Sequence, residues 1–208
     1  MPGLKDKCTL CRREGEKLYL KGERCFTTKC AVAKRPYAPG VHGQTSRTKL
    51  TDYGKQLRDK QAAKRLYGLR EKQFSNYVFK AMTKKENTKN VLIKYLESRF
   101  DNVIFRLGYA PSRAAARQLV GHGFFSVNGE KVNIPSYQVR PKDIITINPV
   151  KTNKKLVNDM KERIKTKETP IWIHLDKTKM EGKILELPKL DEGEKTFSIQ
   201  SVIEFYSR

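Results

Sequence analysis

The chain has 208 residues, a length that allows one large domain or two small ones. Its 44 Lys and Arg against 22 Asp and Glu give a formal net charge of +22, which favours nucleic acid as the partner. No apolar run is long enough to cross a bilayer, and residues 1–6 lack the apolar core of a secretory signal. We therefore expect a soluble, cytoplasmic protein with no membrane partner.

All four cysteines lie near the start of the chain, in the pattern Cys-x2-Cys-x13-Cys-x4-Cys at Cys8, Cys11, Cys25 and Cys30. The x2 spacing lets two thiolates reach one ion from a tight turn, and four thiolates complete the shell of a structural zinc ion. A closed shell leaves no position for catalysis. An iron–sulfur cluster, two disulfides or free thiols stay open as alternatives, although a reducing cytosol disfavours disulfides. One structural zinc ion is the expected cofactor.

A basic strap, residues 34–49, follows the cysteines. Pro36 and Pro39 favour extended backbone there, and the strap's glycines disfavour a helix. We expect the strap to lie along a phosphate backbone, with Tyr37 as a stacking side chain and His42 as a polar contact. A plain interdomain linker is the alternative.

Two helices are predicted next. Thr51 is the expected N-cap of a helix that ends at Gly68, and a second helix carries Phe74, Tyr77, Val78 and Met82 on one face. We expect these aromatic and apolar side chains to form core and not a platform for bases.

A compact module is predicted at residues 95–147. The apolar stripe from Leu96 to Leu107 predicts one helix of about three turns, in which Ser98 and Asp101 resemble a capping box. Ser112 then caps a second helix that carries Arg113 and Arg117 on one surface. Its expected inward side chains are Ala114, Ala115, Leu119 and Val120.

A small sheet is expected to follow these two helices. The segment 125–127, the turn Asn128-Gly129 and the segment 131–134 predict a hairpin, because both turn positions need positive φ. Another strand is predicted at 144–147, a helical patch at 156–164 and a strand at 171–175, with Trp172 in the core. Residues 200–206 are expected to close the helical part of the chain.

Nucleic-acid contacts are expected from basic, amide and aromatic side chains spread along the chain, several of them arginines near the surface of the module. Arginine offers a planar fork that matches paired phosphate oxygens. The candidates are Arg12, Arg13, Lys34, Arg35, Tyr37, His42, Arg47, Lys55, Arg58, Lys64, Arg65, Arg99, Arg106, Arg113, Arg117, Gln118, His122, Lys131, Tyr137 and Arg140.

These motifs closely resemble a known family. The runs at 34–43, 52–54, 71–74, 96–103, 106–108, 112–120, 127–129, 134–137, 180–182 and 204–208 are similar to those of bacterial small-subunit (30S) ribosomal protein four. The matches run from residue 34 to the last residue at consistent spacing. The four cysteines resemble the zinc-finger-bearing branch of that family.

The resemblance implies an α+β fold in three parts. These are an N-terminal zinc-binding finger and extended arm at 1–46, a discontinuous all-helical domain at 47–95 plus 177–208, and an inserted small α/β RNA-binding module at 96–176. The core of the module is 96–147, two helices packed on a small sheet. The family is expected to bind small-subunit ribosomal RNA directly and to nucleate subunit assembly. It is also expected to touch ribosomal protein five at the messenger-entry side, where the contact affects translational accuracy.

Two other function classes are weighed against this one. An enzyme, such as a pseudouridine synthase or synthetase that carries a similar module, would need a catalytic domain, and none of the three histidines sits in a catalytic motif. A zinc-dependent DNA-binding regulator is the alternative function, but it would need a recognition helix for the major groove. We therefore expect no enzyme activity and no small-molecule substrate, and a monomer outside the ribosome.

Overall fold

The computed structural model describes residues 6–45, 49–151, 154–189 and 196–208. Among these, the helices are α1 (Lys7–Glu14), α2 (Ala31–Lys34), α3 (Asp52–Leu66), α4 (Glu71–Met82), α5 (Thr88–Glu97), α6 (Phe100–Arg106), α7 (Arg113–Gly121), α8 (Lys154–Thr166) and α9 (Ile199–Tyr206). The strands are β1 (Phe125–Val127), β2 (Glu130–Lys131), β3 (Ile144–Ile147), β4 (Ile173–Asp176) and β5 (Glu181–Ile184). The mixture of helices and sheet confirms the α+β class. No helix in the described ranges is both long and apolar enough to cross a bilayer.

The chain divides into two compact units. The first comprises the described parts of residues 1–89 and 194–208, and the second comprises those of residues 90–193. The first unit is helical, and α9 packs against α3 and α4 within it. The hydroxyl of Thr51 accepts a hydrogen bond from the Gly54 amide at 3.1 Å, so α3 begins at the predicted cap. Phe74 and Val78 of α4 are fully buried, which confirms the predicted core face.

The second unit is built on an antiparallel sheet with strand order β2-β1-β3-β5-β4. Its core joins the inward side chains of the sheet to those of α6, α7 and α8, with Phe100, Phe125 and Ile145 completely buried. Trp172 is only 2% exposed and belongs to this core, as predicted. The Tyr109 hydroxyl donates to the backbone oxygen of Met180 at 2.6 Å, and burial raises the pKa of this phenol.

The predicted Asn128-Gly129 hairpin turn is confirmed. Both residues have positive φ, 52° and 85°, and they join β1 to β2. Asn128 also has a side-chain role, because its amide donates to Asp143 at 2.9 Å and its oxygen accepts from the Ile144 amide at 2.9 Å. The side chain of Asn128 therefore connects the turn to the start of β3.

The predicted single helix across residues 96–107 is wrong. The chain breaks between α5 and α6, where Arg99 is extended with ψ of 135° and forms an isolated bridge with Gln138. The break lets the amide of Phe100 donate to the oxygen of Tyr137 at 2.8 Å. The capping box is wrong as well, since the Ser98 hydroxyl bonds to Lys94 and Gln138 and Arg99 occupies the cap position.

Ala114 is another misplaced residue, because it is exposed although it was expected to face inward. Ala116 is fully buried in its place, and with Val120 it forms the inner face of α7. The predicted cap of that helix is confirmed by a hydrogen bond from the Ala115 amide to the Ser112 hydroxyl.

The expected boundary at residue 176 falls inside the sheet. Strand β5 pairs with β4 along its whole length, so residues 177–189 continue the second unit and do not join the helical one. Sequence reasoning missed β5 because Glu-Gly-Lys-Ile has little β-propensity and no clear alternation. Tertiary pairing, and not local preference, makes this segment a strand.

A side chain at Gly182 in β5 is expected to destabilise the second unit. A Cβ at this position would lie 2.7 Å from both methyl carbons of Leu107, which is fully buried. We expect Gly182→Ala to lower the free energy of unfolding by about 1–3 kcal/mol through overpacking, measured by urea denaturation. Gly121→Ala is the matched control, since a Cβ there meets nothing within 4 Å. Equal stability of the two variants would contradict this account.

Candidate nucleic-acid interface

A buried network of ion pairs organises the helices of the module. Asp101 accepts from Nε and Nη2 of Arg99 at 3.1 and 2.9 Å. The same carboxylate accepts from Nε and Nη2 of Arg117 at 2.8 and 2.6 Å. Asp101 thus holds one arginine from the start of α6 and one from α7, and it fixes both guanidinium planes.

A second carboxylate, Glu97, continues the network. Its two oxygens accept from Nε and Nη2 of Arg106 at 2.9 Å each. Asn102 donates to Glu97 at 2.8 Å and accepts from Nε of Arg113 at 2.7 Å, while the Arg113 guanidinium lies 4.5 Å from the ring centroid of Phe105. The α6–α7 network is defined as Glu97, Arg99, Asp101, Asn102, Arg106, Arg113 and Arg117.

The α6–α7 network has an excess of positive charge, since it contains four guanidinium groups and two carboxylates: Arg99, Arg106 and Arg117 pair with a carboxylate, and Arg113 donates to Asn102. Its members differ in exposure. Arg99 is 1% exposed, so the prediction that it lies near the surface is wrong: its guanidinium neutralises Asp101 inside the fold. The side chain of Arg117 is 31% exposed, and that of Arg106 is 17% exposed. Arg113 and Arg117 share one surface of α7 as predicted.

The remaining candidates of the second unit are distributed around the module. Gln118, His122, Lys131 and Arg140 are exposed. Tyr137 is half-buried, with its ring edge-on to Phe100 at a centroid distance of 6.2 Å. Tyr137 therefore belongs mainly to the packing of the module. The RNA contacts of the exposed residues stay predictions.

Several basic candidates of α3 are engaged in ion pairs within the first unit. Glu14 accepts from Arg65 and, at 3.4 Å, from Arg58, so α1 is fastened to α3. Burial raises the pKa of Glu14, and Arg65 and Arg58 offset only part of that rise. Lys55 is exposed and pairs with Asp52 at 3.1 Å. Arg58 and Arg65, predicted as nucleic-acid contacts, therefore also form ion pairs that stabilise the helical unit.

A second cluster fastens α9 to α3 and α4. Glu71 accepts from Lys60 at 2.8 Å, from Lys64 at 2.7 Å and from the Tyr206 hydroxyl at 2.7 Å. Lys60 also lies 4.5 Å from the ring centroid of Phe205. Burial acts to raise the pKa of Glu71, but the hydrogen bonds from Lys60, Lys64 and Tyr206 lower it to about 2. The C-terminal helix is therefore held by charge as well as by apolar contact.

The stability of the first unit is expected to depend on pH through Glu71. Its folded pKa lies below the ordinary 4.5, so the stabilisation is present above pH 4.5 and is lost as the pH falls toward about 2. Because 47% of the side chain is exposed, solvent screening limits the effect to about 1 kcal/mol. We expect Glu71→Gln to abolish this acid dependence in urea unfolding between pH 5 and 2. Asp52→Asn should leave it intact; a Glu71→Gln profile like that of the unsubstituted protein would contradict the assignment.

The strap is attached to α1 by Arg12. Its guanidinium donates to the backbone oxygens of Tyr37 and Ala38 at 3.1 and 3.3 Å, and it lies 4.9 Å from the ring centroid of Tyr37. One face of Tyr37 is thus covered by Arg12, which limits the predicted stacking on bases to the other face. Arg13, Lys34, Arg35 and His42 are exposed, and Arg47 lies outside the described residues.

The four cysteines surround one small cavity, which Leu20 and Val32 also line. All four are free thiols. Burial raises the pKa of the Cys11 thiol, and the nearby thiols of Cys25, Cys8 and Cys30 raise it further. Four sulfur donors around one cavity are a set that would fit a thiophilic ion chemically, once deprotonated. As placed, however, no three His, Cys, Asp or Glu side chains among the described residues converge closely enough to hold a metal, so the zinc finger is not shown.

Sequence reasoning missed the acidic and amide members of the α6–α7 network. Asp101 was interpreted as part of a capping box, and Glu97 and Asn102 were given no role, although each of the three is at most 3% exposed. A signal was available, because Glu97 and Asp101 stand among Arg99, Arg106, Arg113 and Arg117 in a short apolar segment. A buried carboxylate needs a cationic partner, so the presence of two acidic residues among these arginines already indicated ion pairs inside the module.

A positively charged arginine surface on a compact α/β module, joined in the chain to a basic helical unit, defines a nucleic-acid-binding protein. The family descriptions that match are the ribosomal protein S4/S9 N-terminal domain at residues 4–97 and the S4 domain at residues 98–145. The chain belongs to the uS4 family of small ribosomal subunit proteins. Because this family is structural and not enzymatic, the prediction that the chain is no enzyme is confirmed.

Curated relatives match the chain over nearly its whole length. The small ribosomal subunit protein uS4 of Thermotoga maritima is 52% identical over 202 residues, which is 97% of this chain and 96% of the relative. That of Kosmotoga olearia is 54% identical over 201 residues with the same coverage. That of Thermus thermophilus is 49% identical over 201 residues, again covering 97% and 96%.

Proposed function

We propose that this chain is a structural constituent of the small subunit of the cytoplasmic ribosome and binds small-subunit ribosomal RNA directly. The observation that carries the proposal is the identity of about half of the residues to uS4 proteins over 97% of the chain. The net charge of +22 and the α6–α7 network supply the physical means, since clustered arginines neutralise phosphates and release counterions.

The finer parts of the proposal follow from the family resemblance. Early binding would let the protein nucleate assembly of the subunit, and a contact with ribosomal protein five at the messenger-entry side would affect translational accuracy. Outside the ribosome the chain would be a monomer. Direct RNA binding by the module is supported by the geometry of its arginines, because guanidinium groups held in fixed planes are suited to paired phosphate oxygens.

One zinc ion is proposed at Cys8, Cys11, Cys25 and Cys30, and a chain that binds it would belong to the zinc-bearing branch of the family. Support comes from the four thiols that line one cavity. A bound ion would supply a structural cross-link of a segment with few apolar residues. The cysteine thiols would lose their protons on binding, and the segment would present its basic residues to RNA.

The decisive experiment is a salt-dependent titration of the purified full chain against a transcript of the 5′ region of bacterial small-subunit ribosomal RNA. Excess transfer RNA and duplex DNA serve as competitors. We expect a dissociation constant of about 10⁻⁸ M or tighter that survives both competitors at moderate salt. Binding that falls to the level of the competitors would mean that the charge acts without specificity, and preference for the duplex DNA would favour the alternative of a DNA-binding regulator.

Neutralising the arginines of α7 is expected to weaken this binding. Arg113→Ala combined with Arg117→Ala should reduce affinity at least tenfold and flatten the salt dependence, because fewer counterions are released. Arg117 also binds Asp101, so urea unfolding of the same variant is required. Arg113→Lys with Arg117→Lys is the control that keeps both charges. Unchanged affinity and salt slope in a folded alanine variant would show that α7 is not a docking face.

A further inference from the structure

The ring of Phe26 stands out among the exposed apolar side chains. It is 76% exposed, at the end of the 3₁₀ turn Gly22–Phe26. One face of the ring is stacked on Tyr19, with the centroids 4.9 Å apart and the planes inclined by 27°. A large aromatic ring covered on one face and open to water on the other is a platform to which a further flat ring can be added.

The backbone around this pair holds it in place. Tyr19 has a positive φ of 50°, unusual for an aromatic residue, and the amide of Gly22 donates to the oxygen of Tyr19. On the other side, the amide and hydroxyl of Thr27 both donate to the oxygen of Arg24. The turn at 19–22 and the turn at 24–27, which contains Phe26, therefore hold the backbone of both aromatic residues, and the contact with Tyr19 orients the Phe26 ring.

The charge around the platform identifies the kind of ligand. Residues 17–35 contain six basic side chains and one acidic side chain. Arg24 and Lys29, which flank Phe26 in the chain, are both exposed. An apolar protein surface would leave these cations unmatched, whereas a nucleotide offers a flat base for the ring and a phosphate for the cations.

We propose that Tyr19 and Phe26 form a stacking platform for one unpaired nucleobase of the bound ribosomal RNA. This assignment rests on the proposed RNA binding and adds a site of a different kind, because stacking depends on the π-face and not on charge. Every base has such a face, so the platform selects a single-stranded or extruded nucleotide over a paired one. Arg24 and Lys29 would contact the phosphates beside that base.

The test compares variants of Phe26 in the full chain, with the 5′-region transcript as the probe. Phe26→Ala and Phe26→Leu should each weaken binding roughly tenfold, since leucine keeps the apolar size but cannot stack. The slope of affinity against salt should not change, because no cation is removed. Phe26→Trp should retain the affinity. Ile171→Ala, which truncates another side chain that is 87% exposed, should bind like the unsubstituted protein.

Failure of this assignment can be told apart from failure of the proposed function. If the unsubstituted protein binds specifically and Phe26→Leu binds equally well, the platform is overturned while ribosomal RNA binding stands. A Trp variant as weak as the alanine variant, or an equal loss in Ile171→Ala, would also overturn it. If the unsubstituted protein does not discriminate the transcript from the competitors, both proposals fail together. Thermal unfolding should be unchanged in all four variants, because neither residue is buried.

Discussion

Replacing Asp101 by asparagine is expected to lower the free energy of unfolding of the second unit by about 3–5 kcal/mol. Asp101 is 3% exposed, and its carboxylate is the shared partner of Arg99 and Arg117. Asparagine has the same size but no charge, so the guanidinium of Arg99, itself 1% exposed, would lose its balancing charge inside the fold. Urea denaturation followed by the fluorescence of Trp172, which lies in the same unit, measures the effect directly.

The matched control for this variant is Glu130→Gln, which changes the same kind of charge at an exposed position of β2. It should alter stability by no more than about 0.5 kcal/mol. A loss below about 1 kcal/mol in Asp101→Asn would contradict the assigned role and would mean that Arg99 is balanced by other groups. A loss of about 3–5 kcal/mol would establish that the buried carboxylate of Asp101 positions Arg99 and Arg117.

Removing the proposed zinc ion from the N-terminal segment is expected to have the largest effect of all. Structural zinc in small cysteine sites contributes about 10–16 kcal/mol of apparent binding energy, which is folding energy for the segment that it closes. Chelation, or Cys11→Ser with Cys30→Ser, should therefore make residues 6–45 sensitive to protease. The thermal transition of the second unit should not move, because its core contains no residue of that segment.

Metal content by native mass spectrometry under reducing conditions provides the measurement, with one zinc per chain expected. The control is Thr28→Ala, which changes an exposed residue between Cys25 and Cys30. This variant should keep both the bound ion and the protease resistance. A chain that binds no zinc, yet resists protease over residues 6–45, would overturn the zinc proposal. Visible absorbance with bound iron would favour the cluster alternative.

The sequence predicted those parts of the fold that depend on a few neighbouring residues, which are the helix caps and the hairpin turn. The caps at Thr51 and Ser112 and the turn at Asn128-Gly129 were predictable, because each depends on one or two residues whose hydrogen bonds or φ angles are decided locally. The break at Arg99 was not, since the apolar stripe continues through it. Only the pairing of Arg99 with Gln138, far along the chain, makes the interruption favourable.

The candidate interface likewise depends on contacts between residues far apart in the chain, which the sequence does not show. The sequence showed that the module carries arginines, but it did not show which of them face inward. Arg99 and Arg117 look alike in the sequence, and both bind Asp101, yet the first is buried and the second keeps part of its surface. Burial of a charged side chain is decided by three-dimensional packing, so surface charge counted along the chain overstates the charge that RNA can reach.

The pairing of β5 with β3 has a consequence for any attempt to study the module alone. The match to the S4 domain ends at residue 145, but the outer side of β3 pairs with β5 at Ile144↔Lys183 and Ile145↔Gly182. A fragment that stopped after Ile147 would leave the amides and carbonyls of an isoleucine-rich edge strand open to another copy of itself. Such a fragment should aggregate, and one extended through Ile184 should stay dispersed.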